Sequence, residues 1–291
     1  MLHDYALLTI TGLLWGGVYL LMAEGLNLIY GVMKVVNLAH GDFIVAGGLL
    51  AVTLFSTYQL SPITALPIAG FLLLLVGLAV QTGILERLVG GGSQAEIRTL
   101  LATFGLSYIV SNVALLLWGG QVQSIPFLQG AVKVGGLAIP ENLLVCSIIA
   151  FIVAGSVHFW LTQTISGKTV RATAQSELGA ASCGLNIKMI RAVTFALGSA
   201  MAGAAGAITI VLIPFQSTSG GDLTVQSFTV IALGGLGDYV GAVLAALLLG
   251  LTQSFTSYFL GSNVAAAMVY LLFIVVLIFR PQGLLGRAGR V

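Results

Sequence analysis

Nine runs of apolar residues, most of them close to 20 residues long, alternate with short polar connections along the chain. The runs cover residues 6–22, 43–58, 63–85, 100–118, 143–161, 192–213, 223–236, 240–259 and 264–279. A helix of about 20 apolar residues crosses the roughly 30 Å hydrocarbon core of a bilayer. Only 7% of the 291 residues are charged, whereas a soluble domain carries about 25%. Lipid must therefore be the solvent for much of the surface.

The pattern predicts an all-α fold, a polytopic membrane protein with about 8–10 transmembrane helices in a single domain over residues 1–291. Two regions depart from a simple span. The run at 223–236 is short, and residues 37–42 are polar for membrane depth. Because irregular backbone at that depth is tolerated where protein covers it, either region is a candidate for a broken or re-entrant helix.

Pairs of small residues at four-residue spacing recur along the chain. They are Gly12 with Gly16, Gly198 with Ala202, Gly203 with Ala207, and Gly237 with Gly241. Small residues at this spacing let two helix backbones approach closely in a membrane. We interpret the pairs as helix-packing contacts rather than as parts of a chemical site.

Basic residues are distributed unevenly among the predicted loops. If nine crossings end in the cytoplasm, only Lys133 of the 11 basic residues lies outside. The other ten then lie on the cytoplasmic side: Lys34, Arg87, Arg98, Lys168, Arg171, Lys188, Arg191, Arg280, Arg287 and Arg290. Because Lys and Arg are enriched in cytoplasmic loops, we predict a cytoplasmic C-terminus and an external N-terminus.

The longest polar connection between the runs covers residues 162–191. Residues at helical spacing within it are Val170, Ala174, Glu177, Leu178 and Ala181. This spacing predicts one short amphipathic helix, which Gly184 would end. A helix in such a loop can lie on the membrane surface or dock into a soluble partner, and the spacing alone leaves both open.

The sequence contains no enzyme motif with the correct spacing. Residues 166–169 (SGKT) resemble the end of a phosphate-binding loop, but the loop needs Gly where Thr162 stands, and no predicted strand precedes it. The three His and two Cys are scattered, without the spacing of a zinc site. The sequence therefore predicts a protein that is not an enzyme and that has no metal site of its own.

Five polar side chains in or beside the first predicted spans are of types that lipid disfavours. They are Glu24, Asn27, Asn37, His40 and Asp42. Such groups normally face a cavity, a partner or an interface. The glycine-rich residues 234–241 interrupt the other half of the chain, and interrupted segments in both halves point to a transport pathway. We predict that Asn27, Asn37, His40 and Asp42 line this pathway. The alternative is that these polar residues lie at the cytoplasmic boundary of the membrane, where water reaches them.

Four short blocks of sequence, in order along most of the chain, resemble one family of membrane proteins. The first comprises residues 25–31 (GLNLIYG) and 35–43 (VVNLAHGDF). The second comprises residues 167–174 (GKTVRATA), 184–187 (GLNI) and 195–206 (FALGSAMAGAAG). Residues 233–237 with 241–242 form the third, and residues 279–286 (FRPQGLLG) the fourth. Together they resemble the LivH-type permeases, the membrane subunits of ABC importers for branched-chain amino acids.

The resemblance implies a transport subunit that performs no chemistry on its substrate and binds no cofactor itself. ATP would be bound and hydrolysed by two separate cytoplasmic ATPase subunits. A second, homologous permease subunit would complete the channel, and a periplasmic substrate-binding protein would deliver the solute. The expected location is the bacterial inner membrane.

The resemblance also implies that the polar connection 162–191 docks into the ATPase. The residues matched to this docking segment are Lys168, Arg171, Glu177 and Gly184. We expect the last three to transmit the motion of the ATPase to the membrane helices.

Three other functions stay open on the sequence. Related permeases move urea, short amides or other small solutes, and the residues quoted above do not separate these from leucine, isoleucine and valine. A stand-alone secondary transporter or channel would use Glu24, His40 and Asp42 as ion or proton groups. An intramembrane enzyme is disfavoured by the missing catalytic motifs.

Overall fold

The computed structural model of the chain describes residues 2–88, 95–134 and 136–286. In these ranges the chain forms eleven α-helices, a 3-10 turn at Leu85–Arg87 and one two-stranded antiparallel hairpin, β1 (Ala131–Val134) with β2 (Leu137–Pro140). The helices are α1 (Leu2–Met33), α2 (His40–Tyr58), α3 (Pro62–Gly83), α4 (Ala95–Trp118), α5 (Glu141–Gln163), α6 (Ile165–Gln175), α7 (Glu177–Ser182), α8 (Ile187–Leu212), α9 (Gly220–Gly234), α10 (Tyr239–Leu260) and α11 (Ser262–Phe279).

Eight of the described helices are long and apolar enough to cross a membrane: α1, α2, α3, α4, α5, α8, α10 and α11. This confirms the all-α polytopic fold predicted from the apolar runs. α9 is the short exception, because its 15 residues extend only about 22 Å. α1 is much longer than its predicted run, with 32 residues and a length of about 48 Å.

The long helices run between two opposite ends of the molecule. α1 runs antiparallel to α10, because Gly12 packs against Leu251 and Gly16 against Leu247. We call the end where α1 begins the N-terminal face, and it carries the hairpin. The end where α11 finishes is the C-terminal face, and α6 and α7 lie there beside the start of α8.

Basic residues of the described segments gather at the C-terminal face, whereas Lys133 in the hairpin lies at the N-terminal face. Those at the C-terminal face are Lys34, Arg87, Arg98, Lys168, Arg171, Lys188, Arg191 and Arg280. Arg287 and Arg290 lie outside the described residues. The grouping agrees with the loop assignment made from the sequence, and the cytoplasmic identity of this face stays a prediction.

Two sets of four helices, α1–α4 and α8–α11, pack in matching ways with opposite directions. α3 lies against α8 as α10 lies against α1, and α2 contacts α8 as α9 contacts α1. Inverted repeats of this kind are common in transporters. The central helices α1 and α8 cross where Gly25 meets the backbone of Gly198, so only small residues fit at the crossing.

α2 and α9 both begin inside the fold rather than at a face. The His40 Nε2 of α2 donates a hydrogen bond to the Met22 carbonyl oxygen at 2.8 Å, and the Ser227 Oγ of α9 donates to the same oxygen at 3.2 Å. Met22 lies 11 residues before the end of α1, which is about 16 Å. Residues 34–39 and 213–219 therefore run back into the protein. This confirms the break expected at 37–42, although residues 40–42 already form the first turn of α2.

Small residues allow the closest helix contacts. Gly12 and Gly16 pack on α10, and Gly203 packs on Ala69 and Leu73 of α3, so the packing interpretation is confirmed for these positions. The last predicted pair does not share a helix, because Gly237 lies in the turn between α9 and α10 with φ +83°, but Gly237 still packs closely against Gly31 of α1.

The polar connection 162–191 differs from its prediction in one respect. The single amphipathic helix is two helices, α6 and α7, separated at Ser176, whose backbone is extended. The Ser176 Oγ accepts a hydrogen bond from the Gly179 N–H at 3.0 Å, and a serine at this position favours a new helix start. Gly184, with φ +80°, follows the end of α7 as predicted.

Gly206 offers a direct test of the tight contact between α8 and α2. A Cβ at Gly206 would overlap the Ile44 carbonyl oxygen, whereas a Cβ at Gly155 on α5 would meet no atom within 4 Å. We expect Gly206→Ala to destabilise the protein by about 1–3 kcal/mol and Gly155→Ala to be neutral or slightly stabilising, since Ala favours helices. Thermal unfolding in detergent measures both, and equal melting temperatures would contradict the packing.

Candidate functional site

The N-termini of α2 and α9 meet in the interior. The Gly41 N–H donates to the Thr224 Oγ1 at 2.8 Å, and this hydroxyl lies 3.0 Å from the Gly220 carbonyl oxygen and 3.2 Å from that of Leu38. A Cβ on Gly41 would overlap the Gly220 carbonyl oxygen. Glycine at position 41 and a hydroxyl at position 224 are therefore what lets the two helix starts touch.

Three of the four predicted pathway residues lie at this junction, and each is almost completely buried. The Asn37 Oδ1 accepts from the Ala39 N–H at 3.1 Å, and His40 binds the Met22 carbonyl as described. The Asp42 Oδ2 accepts from the Ser107 Oγ of α4 at 2.6 Å. These polar atoms hold together the break between α1 and α2, and their role in a pathway stays a prediction.

Asn27, the fourth predicted pathway residue, lies apart from the other three. Its Oδ1 accepts from the Gly237 N–H at 3.0 Å, and its Nδ2 donates to the Asp238 carbonyl oxygen at 3.3 Å. The glycine-rich segment predicted as a second interruption is thus a turn pinned to α1. The break that repeats residues 34–39 is instead 213–219, before α9.

Glu24 is the most deeply buried acid of the described segments, with 1% of its surface exposed. Its Oε2 has no hydrogen-bond partner among the residues that the structure describes. A charged carboxylate in such a place is costly. Glu24 therefore marks a polar position inside α1 that neither helix start uses.

The four residues matched to the docking segment differ in their surroundings. Lys168, Arg171 and Gly184 are exposed. Glu177 instead forms a two-pronged pair with Arg191, in which the Nε lies 3.1 Å from the Oε1 and the Nη2 lies 2.6 Å from the Oε2.

Arg191 is a site residue that the sequence reasoning missed. Its Nη1 also lies 3.9 Å from the Glu86 Oε1 beside α3, so one guanidinium joins α7, α8 and the 3-10 turn. A planar guanidinium suits such paired carboxylates. The signal in the sequence was an Arg and a Glu within the one long polar connection, but nothing there indicated Glu86.

A cavity of about 700 Å³ between α1, α9, α10 and α11 was also missed. Its lining includes Pro214 and Ser257 toward the N-terminal face, and Tyr19 and Gln226 toward the middle of α1 and α9. Asp222, in the first turn of α9, opens onto it. The lining joins α1 to residues 213–270 near the other end of the chain, so no local motif marks it.

Apolar spans, an inverted repeat and two helices that start at membrane depth define a multi-pass membrane protein built like a transporter. The comparison with known proteins narrows this class. Residues 8–279 match the family described as branched-chain amino acid transport system / permease component, and the chain belongs to that family. The resemblance stated from the four sequence blocks is confirmed.

The relatives match over nearly the whole chain. The permease BraD of a high-affinity branched-chain amino acid transport system in Pseudomonas aeruginosa is 27% identical, with 98% of this chain and 97% of BraD covered. The permease LivH of Escherichia coli is 26% identical, with 95% and 94% covered. A second Escherichia coli permease, LivM, is 25% identical, with 92% of this chain and 68% of LivM covered.

Ser107 tests the junction. Ser107→Ala removes the donor to Asp42 and leaves a buried carboxyl oxygen without it, so we expect a loss of about 1–3 kcal/mol in stability. Ser156→Ala on α5 is the matched control, because the exposed Ser156 Oγ bonds to Ile152 of its own helix. Melting temperatures in detergent compare the two, and a Ser107→Ala protein as stable as the Ser156→Ala protein would contradict the assignment.

Proposed function

We propose that the chain is a permease subunit of an ABC importer that moves branched-chain amino acids across the bacterial inner membrane. The observation that carries the proposal is the match of residues 8–279, covering all eight candidate spans at least in part, to a family of branched-chain amino acid permeases. BraD and LivH, of which 97% and 94% are covered, both carry this substrate class in their names.

The proposed complex has four kinds of subunit. Two ATPase subunits bind and hydrolyse ATP, so this chain has no ATPase site of its own. A second permease pairs with it, which is supported by the similarity of the chain to both LivH and LivM of Escherichia coli, whose names share one transport system. A periplasmic binding protein delivers the amino acid.

The ATPase docks on α6 and α7 in this proposal. Both helices project exposed side chains, including Lys168, Arg171 and Leu178, the last with 81% of its surface exposed. A large exposed apolar side chain beside basic ones fits a protein partner. The C-terminal face is then cytoplasmic, in agreement with its basic residues.

The Glu177–Arg191 pair gives the docking helices a mechanical link to the membrane helices. Arg191 lies in the first turns of α8, and α8 packs against α1, α2 and α3. A push on α7 would therefore move α8, which packs against both α1 and α2. Rigid shifts of packed helices are a known form of switching, and the small residues along α8 allow such sliding.

Arg171 tests the docking surface. Arg171→Glu reverses one exposed charge, so we expect uptake to fall about tenfold or more through lost ATPase coupling, with normal amounts of protein in the membrane. Lys133→Glu is the matched control, since Lys133 is exposed at the opposite face. ATP-driven uptake of labelled leucine measures both, and normal uptake by Arg171→Glu would refute the docking assignment.

The substrate class is tested by uptake into proteoliposomes that contain the whole complex. We expect ATP-dependent uptake of leucine, isoleucine and valine, inhibited by an excess of any of the three. Urea and short amides are the competing solutes, and uptake of these alone would assign the chain to another branch of the family. Uptake of leucine without ATP would favour a stand-alone transporter.

A further inference from the structure

Two acidic residues occupy equivalent places in the inverted repeat. α2 begins with residues 40–43 (HGDF) and α9 with residues 220–223 (GGDL). Asp42 and Asp222 are thus both the third residue of a helix that starts inside the fold. Each follows a glycine, and the two helix starts touch through Gly41 and Gly220.

The surroundings of the two acids differ. Asp42 has 3% of its surface exposed and accepts a hydrogen bond from Ser107 of α4. Asp222 is exposed and lies at the wall of the cavity, together with Tyr270 of α11. α4 and α11 are equivalent in the repeat. The contact of α4 with Asp42 is closed, whereas the equivalent place between α11 and Asp222 is an open cavity.

Asp222 lies at membrane depth, although its side chain is exposed. Ser227, five residues further along α9, reaches the Met22 carbonyl in the middle of α1, and Gly220 lies against Asp42. A carboxylate at the depth of hydrocarbon needs water or a cation beside it. Among the described residues no basic side chain lines this cavity.

The cavity has the chemistry of a site for an ammonium group that is joined to an apolar side chain. Its volume of about 700 Å³ lies within the roughly 300–1,000 Å³ of small-molecule sites. Leu8, Trp15 and Val269 form apolar wall, while Tyr19, Gln226 and Tyr270 supply polar groups. Tyrosine rings also attract cations through their faces.

We propose that this cavity is the contribution of this chain to the solute chamber of the permease pair, and that Asp222 binds the ammonium group of the amino acid within it. The apolar wall takes the branched side chain. The proposal rests on the proposed function and deepens it, because it assigns recognition to Asp222 rather than to the hydrogen-bonded residues of the α1–α2 break. It also explains why one acid of the repeated pair is left open.

The first test asks whether leucine protects a thiol, introduced at the lining residue Ser257, from chemical labelling. Ser257→Cys is made in a Cys183→Ser background, because Cys183 is exposed and Cys146 is buried. Cells that express the complete transport system are treated with a membrane-impermeant thiol reagent. We expect labelling from outside, slowed severalfold by saturating leucine. Labelling that leucine leaves unchanged, in cells that take leucine up, would overturn the proposal.

The second test uses Asp222 itself. Asp222→Asn should lower leucine uptake about tenfold or more, because a hydrogen bond to a charged group is lost. Combined with Ser257→Cys, it should also abolish the protection of the introduced thiol by leucine. Asp222→Glu should recover part of both. Equal uptake and protection in Asp222→Asn and the parent chain would contradict the proposal.

These outcomes separate the chamber from the importer function. A wild-type system that takes up no branched-chain amino acid contradicts the proposed function. A system that takes up leucine normally with Asp222→Asn contradicts the role of Asp222 alone. If the Asp222→Asn protein does not reach the membrane, the first test still applies, because the Ser257→Cys chain keeps Asp222. Protection of its thiol by leucine would then support the chamber, and a lack of protection would contradict it.

Discussion

The Met22 carbonyl oxygen, in the middle of α1, accepts hydrogen bonds from both helices that begin inside the fold, His40 of α2 and Ser227 of α9. Backbone groups in lipid have no water to bond with, so an irregular segment at that depth survives only where protein satisfies it. The same requirement explains the hydroxyl of Thr224 at the Gly41 N–H. The inverted repeat depends on these few contacts, because without them neither helix start would be stable in the interior.

α8 connects this interior to the C-terminal face. It packs against α1, α2 and α3 through small residues, and its first turns carry Arg191, which binds Glu177 of α7. A docking partner at α6 and α7 would thus act on a helix that packs against both α1 and α2. On the other side of α9 lies the open cavity with Asp222. The proposed ATPase-docking helices and the proposed solute chamber are then connected through α8 and the starts of α2 and α9.

The sequence predicted the features that follow from local physics. Span length comes from runs of apolar residues, and the polarity of 37–42 marked a break. The sequence also predicted that a helix ends at Gly184. It did not predict the extended backbone at Ser176, because helical spacing does not show that the Ser176 side chain caps a new helix. Contacts between segments that are distant in the chain, such as that of Arg191 with Glu86, could not be predicted from local sequence patterns. The apolar run begins at Leu223, one residue after Asp222, so run length alone gives no reason to single out this acid.

The central claim, that the chain works as one subunit of an ATP-driven importer, is tested most directly by isolating its partners. The tagged chain is drawn from its native membrane in gentle detergent, and the proteins that accompany it are identified by mass spectrometry. The account predicts a soluble subunit with a Gly-x-x-x-x-Gly-Lys phosphate-binding loop, together with a second permease. Recovery of the chain alone, folded and able to move leucine without ATP, would contradict it.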